Sequence, residues 1–408
     1  MINLRQTWQK FGLVLAITTL SLGMVIRHHS IVVATETSQN ADPILLGIYP
    51  PSFMGDRQTL NREVSRIGQW AGKRFSLVGS FIDIETHNPA YDIPVSLELL
   101  RTNGYTGFVN LTSTRTMAEI ARGKADRGLR EIARAYANWS SQGDRFLNSA
   151  NAPASRRDFE ALASVSLMGE TPALDSSFNG GNLRNGLSRK TALHRSAFIA
   201  PFPEMNGAWE SYGEDPVNFK LAYQRVQDIF TQAGVKSDAV RWVFAPNGWS
   251  PEKDRFEYYY PGDSSIDVVA FSGYNWGYCS NAAWKHWSQP QEVYQPYIQR
   301  LQKLSPQKPI FIAQTATTSY TPAGSQLNVK NRWLRDTYSY LASQPQVKGI
   351  IYFNIDKECD WQLFDAKGTK FTGYVKAIAN PAFGYLSPRR LARTKLELPA
   401  PSGETDAA

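Results

Sequence analysis

Apolar residues along this chain recur in two alternating rhythms. Short runs rich in β-branched and aromatic residues are separated by longer stretches in which apolar positions return every three or four residues, the pattern of βα units around a parallel sheet. Strands are predicted at Ile44 to Tyr49, Phe75 to Ile84, Thr106 to Leu111, Ala197 to Phe202, Val240 to Ala245, Asp267 to Ser272, Ile310 to Ala313 and Gly349 to Asn354. Helical spacing is predicted over Arg57 to Ala71, Met117 to Trp139, Pro216 to Ala233 with proline in its first turn, Gln291 to Leu304 and Val329 to Leu341. Eight strands with helices between them, and no Gly-x-Gly-x-x-Gly turn, point to an α/β fold of the (β/α)8 TIM-barrel type rather than to an open doubly wound sheet.

Three segments fall outside the rhythm. Residues 142–195, rich in Ser, Asn, Gly and Ala, form an insertion between the third helix and the fourth strand. Residues 383–408 hold Pro388, Pro399 and Pro401 and end in small polar residues, so a flexible tail is expected there. At the other end, Arg5 and Lys10 precede an uncharged, mostly apolar run from Phe11 to Ile26, which is short for a membrane span of about 20 residues and suits a signal-peptide core. The small-residue site Val32-Val33-Ala34 follows, with Arg27-His28-His29 in between. Residues 1–34 are therefore expected to be a signal peptide or an uncleaved N-terminal anchor, giving a periplasmic, extracellular or membrane-attached protein, with the barrel over 35–382.

Composition narrows the function classes. With 42% hydrophobic residues, 20% charged and 11 Trp among 408 residues, the chain can bury a large core, and a monomer is expected. The two cysteines are too few for a cysteine zinc module or an iron–sulfur centre. Cys279 and Cys359 follow strands six and eight, so their loops share one rim and a disulfide between them is a candidate. The net charge of +8 is dispersed. Even the basic run from Arg115 to Arg157 carries no nucleic-acid-binding motif, so it reads as a solvated helix face and no nucleic-acid partner is expected. The five histidines show no metal-ligand spacing and no Gly-x-Ser-x-Gly elbow occurs, so neither metal, cofactor nor acyl-transfer serine is expected.

In a (β/α)8 barrel the chemistry sits just beyond the strand ends. Strand four runs into Pro203-Glu204-Met205-Asn206-Gly207-Ala208-Trp209, strand five into Pro246-Asn247-Gly248-Trp249, and strand six into Gly273-Tyr274-Asn275-Trp276-Gly277. Strand seven runs into Gln314-Thr315, and strand eight into Ile355-Asp356-Lys357-Glu358 with Asp360-Trp361 beyond. Such a rim suits sugars, whose C–H faces pack on aromatic rings while amides and carboxylates satisfy the hydroxyls.

The strand-four block, together with Tyr258-Tyr259-Tyr260-Pro261-Gly262-Asp263, Ser272 to Gly277, Lys308 to Ala313 and Tyr352 to Glu358, resembles glycoside hydrolase family 26, the β-mannanase family, over roughly residues 44–382. The resemblance implies a retaining clan A barrel that hydrolyses β-1,4-linked polysaccharide. It implies Glu204 as general acid/base and Tyr274 as the aromatic residue holding the nucleophile. At the nucleophile position this sequence has Gln314 where the family has Glu, and Pro203 stands where the family has His. Asn206, Trp209, Trp249, Trp276 and Trp361 are candidate sugar contacts. A neutral amide is a poor nucleophile. Two outcomes stay open: a hydrolase that draws on another carboxylate, with Asp83, Glu85, Asp356 and Glu358 as candidates for an inverting base, or an inert carbohydrate-binding pseudoenzyme.

Overall fold

The first strand, β1 (Ile44–Tyr49), is buried along its whole length, as a strand covered on both faces must be. It opens a ring with β2 (Leu77–Asp83), β3 (Thr106–Thr112), β4 (Ala197–Pro201), β5 (Val240–Phe244), β6 (Val268–Asn275), β7 (Ile310–Thr317) and β8 (Val347–Phe353). Each strand pairs in parallel with the next, and β8 closes on β1 through Leu45 to Tyr49 against Gly349 to Phe353. The expected (β/α)8 barrel is thus present, and β4 and β8 stand opposite each other, four strands apart either way round the ring. The computed structural model describes residues 42–51, 57–85, 89–141, 195–363, 371–396 and 398. The expected leader at 1–34 and nearly all of the insertion at 142–195 lie outside them.

The outer layer consists of α1 (Arg57–Ala71), α2 (Pro89–Thr102), α3 (Met117–Ala121), α4 (Asp126–Ser141), α5 (Pro216–Gln232), α6 (Pro290–Leu304), α7 (Leu327–Ala342) and α8 (Thr372–Ile378). The single helix expected from Met117 to Trp139 is two helices. A Thr116/Glu119 capping box starts α3, and Gly123, at φ +88°, turns the chain before α4. A side chain at Gly123 would meet Arg225 Nη2 at 2.4 Å, the guanidinium that pairs with Asp126 at the head of α4. Among the described residues no helix is long and apolar enough to cross a membrane.

Residues 383–396, where composition led to the expectation of a flexible tail, are packed against the barrel, and most of the rest of that expected tail lies outside the described residues. Phe383 and Gly384 pair with Ile44 and Leu45 at the start of β1, and Leu386, Leu391 and Leu396 are buried. Arg241, near the start of β5, donates to the carbonyls of Leu391 at 3.1 Å and Thr394 at 2.6 Å. The segment therefore covers the N-terminal end of the barrel. Its prolines suggested a tail, but the leucines spaced between its polar residues supply enough apolar surface to hold it there.

Candidate active site

The Glu204 loop is built on strained backbone. Phe202 and Glu204, on either side of Pro203, both take left-handed φ values, +54° and +57°, which side chains other than glycine adopt only where the surroundings impose them. Glu204 N–H donates to Ala245 O at 2.8 Å, tying the loop to the end of β5, and Gly207 N–H donates back to Glu204 O at 2.9 Å. Trp209 then folds over the loop, and its Nε1 donates to Glu204 Oε2 at 2.8 Å. This fold-back requires Gly207, since a Cβ there would lie 2.3 Å from the indole ring. The Asn-Gly-x-Trp turn thus aims a carboxylate into the barrel mouth with an indole, 52% exposed, beside it.

Across the mouth, β7 carries a bulge. Phe271 and Ser272 on β6 pair with Ile312 and Gln314, one residue of β7 being left over, and the pairing with β8 jumps in the same place. Bulges re-aim side chains. Here Gln314, 5% exposed, accepts a hydrogen bond at Oε1 from Tyr274 Oη at 3.0 Å. Burial, followed by the charge of Glu204, raises the Tyr274 hydroxyl well above its ordinary range, so it stays protonated as a donor. Tyr274 therefore interacts with both candidate catalytic positions, 204 and 314. Tyr49, from β1, is likewise raised by burial, accepts from Asn110 Nδ2 at 2.9 Å, and also feels the Glu204 charge.

The other sequence candidates separate into two groups. Trp209, Trp249 at 42% exposure and Trp276 at 36% keep ring surface open to solvent. Trp361 and Asn206 do not. Trp361 is 1% exposed, packed 5.5 Å from the Tyr274 ring and 5.0 Å from Trp276, so it supports the platform from behind and has no free face for a sugar. Asn206 is fully buried, donating from Nδ2 to Asn247 O at 2.9 Å and accepting from Asn247 N–H at 2.8 Å. It ties the β4 and β5 loops together rather than reaching a ligand. Cys279 and Cys359 are joined as a disulfide that links the β6 and β8 loops, with Cα atoms 5.9 Å apart.

Three residues that did not stand out in the sequence belong to this mouth. Trp284, 64% exposed, packs its ring 4.6 Å from that of Trp249 and doubles that aromatic surface. Glu210 lies six residues after Glu204, and burial followed by the Glu204 charge raises its carboxyl. Tyr212, buried against Phe202, donates to Pro203 O at 3.0 Å and feels Glu210, Glu204 and Asp83. The acidic spacing Glu204…Glu210 was visible in the sequence, but only the loop's fold-back brings the two charges within reach of each other.

Comparison with known proteins agrees with the fold. The model of glycosyl hydrolase family 26 matches residues 196–308. Endoglucanase H of Acetivibrio thermocellus is 28% identical over 187 residues, 42% of this chain, a match that spans only 19% of that relative's length. In fold, the chain is similar to a modular endo-β-1,4-mannanase from Cellulomonas fimi, with a TM-score of 0.54 at 12% identity over 85% of this chain and 74% of that one. It is similar also to a family 26 β-mannanase from Bacteroides ovatus, with a TM-score of 0.51 at 14% identity over 88% and 94% of the two chains. Residues 196–308, which hold β4, the Glu204 loop, β5 and β6 with Tyr274, match the model of glycosyl hydrolase family 26, and the barrel around that segment is similar in fold to the family's mannanases.

Proposed function

We propose that this protein binds and hydrolyses a β-1,4-linked polysaccharide, mannan or a related β-glycan, at the C-terminal mouth of the barrel, with Glu204 as general acid/base. The observation that carries the reading is the Glu204 carboxylate itself, held by strained backbone and by Trp209 Nε1 across from the Tyr274–Gln314 pair. Solvent-facing indoles at 209, 249, 276 and 284 supply apolar faces for successive sugar rings. Export through the N-terminal segment belongs to the same proposal, and N-terminal sequencing of the protein recovered from the cell envelope and medium tests it.

Gln314 favours a second reading, an inert carbohydrate-binding protein that keeps the cleft and lacks the nucleophile. Release of reducing ends from a panel of β-mannans, β-glucans and xylans, set beside calorimetric affinity for the same polymers, separates the two. Cleavage supports the enzyme, and binding without cleavage supports the inert protein. Substitution Gln314→Glu places a carboxylate where Tyr274 can hold it, and is expected to raise cleavage at least about tenfold, a step of about 1.4 kcal/mol in barrier. No gain would show that the cleft no longer positions a sugar for attack from β7.

A further inference from the structure

Of the open indoles, Trp209 leans on Glu204 and Trp276 on Trp361, while Trp249 and Trp284 lean on each other. Their ring centroids are 4.6 Å apart, and their planes meet at 60°. This mutual contact leaves both rings largely in water, and Trp284 is the most exposed aromatic side chain among the described residues. Apolar ring surface left in water forgoes the gain that burial would bring, so a pair kept this open needs a reason.

Slack loops are not that reason, because both supports are tied down. On the β5 side, Gly248 packs so closely on Tyr297 of α6 that a Cβ would lie 2.8 Å from that ring, and its N–H donates to Ser272 O at 2.9 Å. Trp249 N–H donates to Asn247 Oδ1 at 3.0 Å, and Asn247 is the residue whose backbone Asn206 clasps from the Glu204 loop. On the β6 side, Cys279 is bonded to Cys359, and Asn281 Nδ2 donates to the Glu358 carbonyl at 2.9 Å. Lys285 Nζ, one residue after Trp284, donates to Ser280 O at 3.0 Å, and Ser288 N–H returns to Asn275 Oδ1 at 3.1 Å. The two indoles are thus presented ready-made, which lowers the ordering cost for a ligand that lands on them.

We propose that Trp249 and Trp284 form a sugar-binding step that takes a single, twisting β-glycan chain and not the flat face of a crystalline one. The proposal rests on the glycan-binding part of the reading above and adds the physical form of the glycan. Two observations carry it. The first is continuity: the Trp249 loop is hydrogen-bonded through Asn247 and Asn206 to the loop of Glu204, so a chain that leaves the mouth on that side runs onto the pair. The second is the angle. Rings whose planes stand 60° apart cannot both lie against one flat surface, whereas a chain that turns from sugar to sugar can rest the C–H face of one ring on each.

Calorimetry with soluble hexasaccharides of β-1,4-linked mannose, glucose and xylose, set beside adsorption to crystalline mannan and cellulose, tests the step whether or not the protein cleaves. Trp249→Ala and Trp284→Ala are each expected to weaken the best-bound hexasaccharide roughly tenfold, and Trp284→Phe, which keeps a ring face, to retain most of the affinity. Any adsorption to crystalline polymer is expected to be the same in Trp284→Ala as in the wild type. Unchanged hexasaccharide affinity in either alanine variant would overturn the step and leave glycan binding at the mouth intact. Adsorption to crystalline polymer that Trp284→Ala abolishes would overturn the form of glycan assigned here. A dimer lost in Trp284→Ala by sedimentation velocity, with glycan affinity unchanged, would give the pair to a second copy of the chain instead. Binding of none of these glycans by the wild type would end the step and the glycan reading together.

Discussion

Glu204→Gln is expected to lower the rate of polymer cleavage by about 10²- to 10⁴-fold, the range that a positioned general acid supplies, with polymer affinity close to that of the wild type. The substitution removes a proton from the leaving oxygen's reach and little else. An amide oxygen at 204 can still accept from Trp209 Nε1, so the fold-back over Gly207 survives, and the Ala245 contact is backbone. Loss of the charge also relieves Tyr274, Tyr212 and Glu210, all of which feel it. Initial rates and calorimetry on one polymer measure the two quantities together. A fall in affinity equal to the fall in rate would mean that Glu204 binds glycan and transfers no proton, and an unchanged rate would remove it from the reaction.

The barrel was legible because its signal is repeated eight times: apolar runs of strand length alternating with amphipathic helices leave few other architectures. The position of Glu204 at the barrel mouth was legible because it lies between a buried strand and an Asn-Gly-x-Trp turn. Orientation was not legible. Trp209 and Trp361 both follow a strand in sequence, yet one keeps half its surface and the other is sealed behind Tyr274 and Trp276, because exposure after a strand end depends on what the neighbouring loops lay over it. Asn206 likewise has the composition of a ligand contact and is used up by the Asn247 backbone. The break at Gly123 needed φ to be known, since an isolated glycine within a helical period is tolerated more often than not. The packed segment 383–396 shows the same limit in reverse: proline content argued for a tail, while its partners, Arg241 and the edge of β1, lie far away in sequence.

The largest loss of stability is expected away from the mouth, on substitution of Glu98. This α2 carboxylate is fully buried and accepts from Arg101 Nε at 3.0 Å, from Arg195 Nε at 3.1 Å and Nη2 at 3.2 Å, and from Trp139 Nε1 at 2.9 Å. Trp139 closes the chain before the inserted segment and Arg195 resumes it, so one side chain holds both stems of the insertion to the barrel. Glu98→Gln leaves the Arg195 guanidinium buried without a counter-charge, and breaking such a pair from one side costs about 3–5 kcal/mol. The sign with pH follows from the folded carboxyl. Burial works to raise it, but the hydrogen bonds of Arg101 and Arg195 outweigh burial and hold it at about 2, against 4.5 for a free side chain. A depressed carboxyl contributes its full stability above the unfolded value and loses it as pH falls through the folded one. The gap between wild type and Glu98→Gln, read from urea melts, should therefore be widest near neutrality and narrow steadily below pH 4.5 toward 2. A gap that is small at neutral pH, or that stays constant down to pH 2.5, would mean that the stems of the insertion are held by packing alone and that the buried ion cluster is not what joins them.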